Sequence, residues 1–254
     1  MGQVAALAHP EVGALRLPLI EKLGRFVDLG ARERDYLLRM QGDFLRVRSG
    51  ADVITAGHTY HSVFVLSRGM AIRYKVLHDG RRQILNLVLP GDLIGFPGCL
   101  YNRSLYSVTT LAESTICPIA FGEIFELFRR HPRLSIAILW LAGQEATLFA
   151  EHLVGIGRQS AYERVARMLM ELLARLQLAG LAGDRAYALP LTQELMVDAL
   201  GLSVPHVNRT LRKLREDRLI ALDGNRLTCL DIPALARLAE VDFAELWNQK
   251  IPGL

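Results

Sequence analysis

The stretch LTQELMVDALGLSVPHVNRTLRKLREDRLI, from Leu191 to Ile220, decides how the C-terminal part of the chain is read. It has the pattern of two short helices joined by a tight turn. Thr192 can cap the first helix through its hydroxyl, and Met196, Ala199 and Leu200 fall on one side of that helix. Gly201 supplies the chain reversal, because glycine accepts a positive φ without steric cost. Ser203 is the expected cap of the second helix. Pro205 is tolerated there because a first helical turn needs few N–H donors.

Periodicity separates the two faces of the second helix. Val207, Leu211 and Leu214 sit at i, i+4 and i+7 and form an apolar stripe. At 100° per residue, Pro205, Arg209, Arg212 and Glu216 project from the other side, with His206, Asn208 and Lys213 on the flanks. A guanidinium fork, an amide and several further cations are the groups that read base edges and neutralise phosphates in a major groove. Such a face alone is equally consistent with a solvated surface helix, so the flanking sequence has to decide. Asp223-Gly224 is a hairpin signal between short apolar runs. A helix-turn-helix followed at once by a hairpin is a winged arrangement, with Arg226 in reach of a flanking phosphate. The expected partner is double-stranded DNA. Arg209, Asn208 and His206 are assigned to base edges, and Thr192, Ser203, Arg212, Lys213 and Arg226 to phosphates.

Charge supports this locally and not globally. Residues 158–254 carry 13 Lys and Arg against 12 Asp and Glu, whereas 203–226 carry six against three. The basic footprint is confined to the recognition helix and the wing.

At 254 residues and 51% hydrophobic, the chain is long enough for two domains with separate cores. No run approaches the ~18–20 uninterrupted apolar residues of a membrane helix, and the richest, around Ile136 to Ala142, is short. The N-terminus lacks a basic segment followed by an apolar one, so a cytoplasmic protein is expected. Cys99, Cys117 and Cys229 are spaced 18 and 112 positions apart, which suits neither a zinc knuckle nor an iron–sulfur cluster. Buried reduced thiols are expected, with one redox-sensing thiol as the alternative. His58-x-x-His61 has no third ligand nearby and reads as loop and strand start, and His78 reads as an exposed turn residue, so no metal site is assigned. No Gly-rich phosphate loop, nucleophile elbow or carboxylate pair with a poised histidine appears, and Asp92 reads as a turn residue. No catalytic residue is assigned and no enzyme is expected.

Upstream, short strands alternate with turn signals from about Val53 to Ala120. They are His61–Leu66, Met70–Leu77, Gln83–Leu89 and Tyr106–Ala120, the pattern of an antiparallel sandwich or roll. Pro18 to Met40 has helical periodicity before it. From Pro132 to Val154 the period becomes helical for about six turns. Leu134, Ile138, Leu141 and Leu148 fall on one side of this helix, and Ile136, Trp140 and Phe149 lie elsewhere. A helix apolar over more than one face must bury more than one face. One face would cover the roll and another would meet the same helix of a second subunit, and Leu134, Ile138, Leu141 and Leu148 are assigned to the dimer contact. Gly155-Ile156-Gly157 reads as a break and hinge. Ser160-Ala-Tyr-Glu163 is a capping box that starts a helix with Val165, Leu169, Leu172 and Leu176 inward. Residues 177–190 read as a connector and Ile232 to Trp247 as a closing amphipathic helix. The fold class is α+β: an N-terminal antiparallel β-roll (1–130), a long dimerisation helix with hinge (131–157) and a C-terminal winged helix-turn-helix (158–254).

This order resembles the Crp/Fnr superfamily of bacterial transcription regulators over residues 18–240. The run Leu195–Ile220 is the most specific likeness, with LVLPGDLIG at 87–95 and HPRLSIAILWLAGQEATLFAEHL at 131–153 in support. The resemblance implies a homodimer that binds a palindromic operator and activates or represses transcription, with RNA polymerase as a further partner. Arg81 and Arg82 are candidates for that polymerase contact, although the sequence does not separate them from solvated surface. Members typically begin the recognition helix with Arg-Glu or Val-Glu, followed after two residues by Ser-Arg. Here Val204-Pro205-His206-Val207-Asn208-Arg209 retains the arginine but has Pro205 at the glutamate position and Asn208 at the serine position. Proline cannot accept from a cytosine N4 amino group, which leaves Asn208 or His206 to supply a contact. The half-site should therefore depart from the usual TGTGA or TTGAT. Val197 stands where such motifs usually have Ala or Gly at the helix crossing, which suggests slightly wider packing.

In cyclic-nucleotide-binding members a Gly-Glu pair holds the ribose and an Arg-Ser or Arg-Thr pair holds the phosphate. Here Phe96 follows Gly95, and Arg103-Ser104 falls near the phosphate position only after a gap. An effector pocket would gather Gly95, Phe96, Arg103 and Ser104, and no cyclic nucleotide is expected. The iron–sulfur sensor of Fnr-type members is not expected either, since no cysteine precedes Cys99. The competing reading is an effector-binding sensor that acts through a protein partner and retains little specific DNA binding.

Overall fold

The computed structural model describes residues 5–6, 18–241, 243 and 250–251. It divides into two compact units, one from residues 1–75, 85–145 and 250–254, the other from 76–84 and 146–249.

The first unit is a β-roll flanked by helices. Pro18–Met40 forms two helices, α1 (Pro18–Gly24) and α2 (Ala31–Arg39), and not one continuous helix. The turn between them places Phe26 and Val27 in the core, and the Glu33 carboxylate accepts from the Gly30 N–H at 2.8 Å to start α2. A five-stranded sheet runs in the order β1 (Ala5–Ala6), β2 (Leu45–Val47), β9 (Ser114–Ala120), β4 (Ser62–Arg68), β7 (Leu93–Ile94). The other sheet runs β3 (Asp52–Ile54), β8 (Ser107–Thr110), β5 (Ala71–Val76), β6 (Arg82–Val88). The expected run Tyr106–Ala120 is thus two strands, β8 and β9. Strands alternate sides with a period of two, so each sheet can bury one face against the other. Leu66, Ile94 and Ile116 of one sheet meet Ile54, Ala71, Val88 and Val108 of the other.

The outer face of the five-stranded sheet carries Val63, Val65, Cys117 and Ile119. Against it pack α1, α3 (Phe121–Arg130) and the first half of α4 (Pro132–Arg158). Two expectations for α4 are corrected here. Leu134, Ile138 and Leu141 are core residues of their own chain, and Leu148 is 1% exposed, so this row is not available to a second subunit. The helix also continues through Gly155-Ile156-Gly157 and ends at Arg158. Gly155 is buried inside the unbroken helix, where a Cβ would stand 3.4 Å from the Gln159 side chain, an ordinary van der Waals contact.

In the second unit, α5 (Ala161–Leu178) begins at the expected capping box, with Ser160 and Glu163 satisfying each other's N–H groups. Val165, Leu169, Leu172 and Leu176 face inward. The expected connector contains a strand, β10 (Ala186–Ala188), whose Tyr187 is buried and donates to the Leu169 carbonyl at 2.9 Å. Next come α6 (Gln193–Leu200), α7 (Val204–Glu216) and the hairpin of β11 (Ile220–Asp223) and β12 (Arg226–Cys229). β10 pairs with β12, which makes the wing a three-stranded sheet. A further helix, α8 (Ile232–Ala239), ends with Glu240 in the left-handed region at φ 55°. Most of the expected continuation to Trp247 lies outside the described residues. Among the described residues no helix is long and apolar enough to cross a membrane.

Candidate nucleic-acid interface

Helix α6 starts as the sequence requires, with the Thr192 hydroxyl accepting from the Leu195 N–H at 3.3 Å. It ends at Gly201 with φ 63°, which turns the chain into α7. Val207, Leu211 and Leu214 of α7 are buried, 0%, 5% and 0% exposed, and anchor the helix on α5 and α6. Anchoring one stripe fixes the direction of the other. Ser203, Val204, Pro205, His206, Arg209, Arg212, Lys213 and Arg215 are all exposed, whereas Asn208 is half-buried.

Ser203 occupies the cap position but makes no side-chain cap bond, contrary to expectation. Pro205 explains part of this, because it has no N–H to offer and so removes one of the donors a cap would satisfy. The first turn of α7 holds no acidic residue, and its positive dipole end lies beside the exposed Ser203 hydroxyl, with the His206 and Val207 N–H groups both bonded to the Ser203 carbonyl. That arrangement favours an anion such as a phosphate. At the other end Arg218, at φ 57°, reverses the chain, and the Leu219 N–H returns to the Leu214 carbonyl at 3.0 Å.

The assigned phosphate contacts are not equivalent. Arg212 is exposed on the outer face. Lys213 is held by Asp217 at 3.1 Å, and Asp217 also accepts a 2.6 Å hydrogen bond from the Tyr162 hydroxyl. Sequence reasoning misses Tyr162, whose only signal is its place beside the capping box. Its pKa is pushed up to about 12, first by burial, then by the hydrogen bond to Asp217 and by that carboxylate's charge. Arg226 opens β12 opposite Asp223, exposed at the hairpin tip where Gly224 adopts φ 56°.

Arg81 and Arg82 also differ. Arg82 grips Asp198 of α6 through Nε at 2.8 Å and Nη2 at 2.7 Å, and Gln83 donates to the Ala199 carbonyl at 3.1 Å. Arg82 is therefore committed within the protein and does not suit a polymerase contact. Arg81 remains exposed, paired with Asp79 at 2.7 Å.

The sensor-like features of the first unit do not converge on a nucleotide site. A cavity of about 20 Å³ is lined by Gly95 and Ser104 with Tyr60, Cys99, Tyr101 and Tyr106, enough for about one water. Phe96 is a core residue, and Arg103 is exposed and does not line the cavity. The cation beside the cavity is Arg73, whose guanidinium lies 4.6 Å from the centre of the Tyr106 ring. Burial acts to lower its pKa, but Glu145 at 2.6 Å outweighs this and holds it charged and neutralised. A cyclic nucleotide needs a ribose acceptor and an available cation, and these residues provide neither, so they do not fit one. Burial likewise pushes the Cys229 thiol up to about 11 and raises Cys99, the reverse of an activated thiolate.

Comparison with known proteins agrees with the architecture. The Crp-like helix-turn-helix domain matches residues 163–238, and the cyclic nucleotide-binding domain matches residues 44–131. The chain is similar to the transcriptional activatory protein AadR of Rhodopseudomonas palustris, 34% identical over 67% of this chain and 70% of that one. It is also similar to the transcriptional activator FnrL of Cereibacter sphaeroides, 31% identical over 70% and 73% of the two chains. The structure of FixK2 from Bradyrhizobium japonicum has the same fold, with a TM-score of 0.71 and 22% identity over 80% of this chain and 98% of that one. AadR and FnrL are both named as activators of transcription. With its roll, its long helix and its winged helix-turn-helix, the chain belongs to the Crp/Fnr family and is a DNA-binding transcription regulator.

Proposed function

We propose that this regulator works as a cytoplasmic homodimer that places two copies of α7 in successive major grooves of a palindromic operator. The observation that carries this reading is the pairing of two exposed surfaces, the outer face of α7 and an apolar row on α4. Ile136, Leu139, Gly143, Ala146, Ala150, Leu153 and Gly157 are spaced alternately by three and four residues, and all seven are exposed. Ile136, Leu139 and Leu153 are 45%, 54% and 72% exposed. A three-four alternation is the heptad seam of a two-stranded coiled coil, and glycines and alanines at its centre allow close approach. The dimer row is therefore this one, and the Leu134 row serves the chain's own core.

Within each half-site, Arg209 donates a bidentate pair to a guanine, with His206 and the half-buried Asn208 beside it. Ser203, Thr192, Arg212 and Arg226 contact phosphates, with Lys213 a weaker contributor. The relatives named as activators support an activating output, which would need a contact with RNA polymerase. Selection of bound sequences from random duplex DNA tests the reading. A two-fold symmetric site with half-sites about one helical turn apart supports it, and enrichment of single half-sites or of nothing refutes it.

A further inference from the structure

Neither Val204 nor Pro205 in the first turn of α7 carries a polar side-chain atom, and Pro205 stands where the resemblance places a glutamate. Val204 is 38% exposed and Pro205 is also exposed, while Val207, one turn on, is fully buried. Helix initiation tolerates the proline without requiring it, and it is the proline that replaces the usual glutamate. N-terminal residues of a recognition helix are the ones that reach base edges. Pro205 and Arg209 are four residues apart, ~40° apart around the helix and ~6 Å along it, a span of about two base pairs. No polar side-chain atom belongs to either Val204 or Pro205, so neither can read a donor or acceptor. The one feature of a major-groove edge that such a surface recognises is the C5-methyl group of thymine.

We propose that Val204 and Pro205 form an apolar reading head for thymine methyl groups at the base pairs adjoining the guanine held by Arg209. This rests on α7 being the recognition helix, and it names what that helix reads besides guanine. A methyl-bearing groove that covers the exposed apolar surface at this end of the helix removes it from water. The specificity at these positions is then set by shape and methyl burial, and cytosine is rejected because its N4 amino group finds no acceptor.

The test uses the full-length protein and the duplex enriched by selection from random DNA. The guanine position is identified as the one whose preference disappears in Arg209→Ala. Thymines next to it are then replaced singly by deoxyuridine, which removes only the methyl group. Each replacement is expected to weaken binding about four-fold, the value of burying one methyl-sized group. The double variant Val204→Ser/Pro205→Ser is expected to bind the thymine and uracil duplexes equally while keeping its guanine preference. A selected site without thymine there, equal binding of thymine and uracil by the natural protein, or a difference that survives the double substitution overturns the proposal and leaves α7 as the reader. If no sequence is enriched at all, the recognition assignment itself fails and takes this proposal with it.

Discussion

The Tyr162 hydroxyl donates a 2.6 Å hydrogen bond to the Asp217 carboxylate, which also holds Lys213 at 3.1 Å. One acidic side chain thus ties the start of α5 to the end of the recognition helix and occupies a cation assigned to DNA. Arg212→Ala should reduce the slope of log affinity against log salt by ~0.9, the value of one neutralised phosphate, equally for all sequences. Lys213→Ala should change it by less than half as much, and Asp217→Asn should increase affinity for random duplexes by releasing Lys213. Salt-titrated binding to a random duplex measures all three. Equal slopes for the two cation variants would show that Asp217 does not restrain Lys213.

Tyr162 also gives the structure a signature in alkali. Its folded pKa of about 12 exceeds the ordinary 10, so the folded chain retains this proton where the unfolded chain has lost it. The stabilisation is complete below pH 10 and is lost as pH rises from 10 through 12. The difference in tyrosinate absorbance between the natural protein and Tyr162→Phe should show a midpoint near 12, and Asp217→Asn should move it toward 10. A midpoint near 10 in the natural protein would contradict the geometry.

The two apolar rows of α4 should respond differently to substitution. Leu139→Arg or Leu153→Glu places a charge in the heptad seam and should give a folded monomer by sedimentation, with loss of binding to the paired site. Ile138→Ala should leave association unchanged and lower stability by ~2–5 kcal/mol, because Ile138 is 1% exposed in its own core. Dissociation by Ile138→Ala, with Leu139→Arg still dimeric, would return the dimer seam to the Leu134 row.

Arg82 and Asp198 lie in one compact unit although 116 positions separate them. Their side chains are 33% and 25% exposed, so a double-mutant cycle on denaturation should give a coupling of ~0.5–1 kcal/mol. Arg81→Ala should have no measurable effect, since both it and Asp79 are open to solvent. A coupling of zero would mean that Arg82 is free in solution.

What is legible in the sequence is what local rules specify. The capping box at Ser160, the Thr192 cap, the reversal at Gly201, the Val207–Leu211–Leu214 stripe and the Asp223-Gly224 turn each depend on residues within one or two turns. What escapes depends on distant partners. The α4 helix is apolar on two rows, and only the position of the sheet decides that Leu134 faces inward and Ile136 outward. Gly155 and Gly157 read as a break because glycine weakens a helix by ~1 kcal/mol, a cost small enough that α4 runs through both to Arg158. Strand β10 is three residues with a single inward side chain, too short for periodicity to show. The expected effector pocket disperses for a similar reason, since the core takes Phe96 and solvent takes Arg103.

The exposed face of α7, led by Arg209, is the proposed reader of a two-fold symmetric operator. Sequence selection with the natural protein and with Arg209→Ala on the same random library tests it most directly. The natural protein should enrich a symmetric site. The substitution should cost ~1–3 kcal/mol in affinity for that site and relax preference at one guanine per half-site. An identical enriched sequence and unchanged affinity for the variant would contradict this reading.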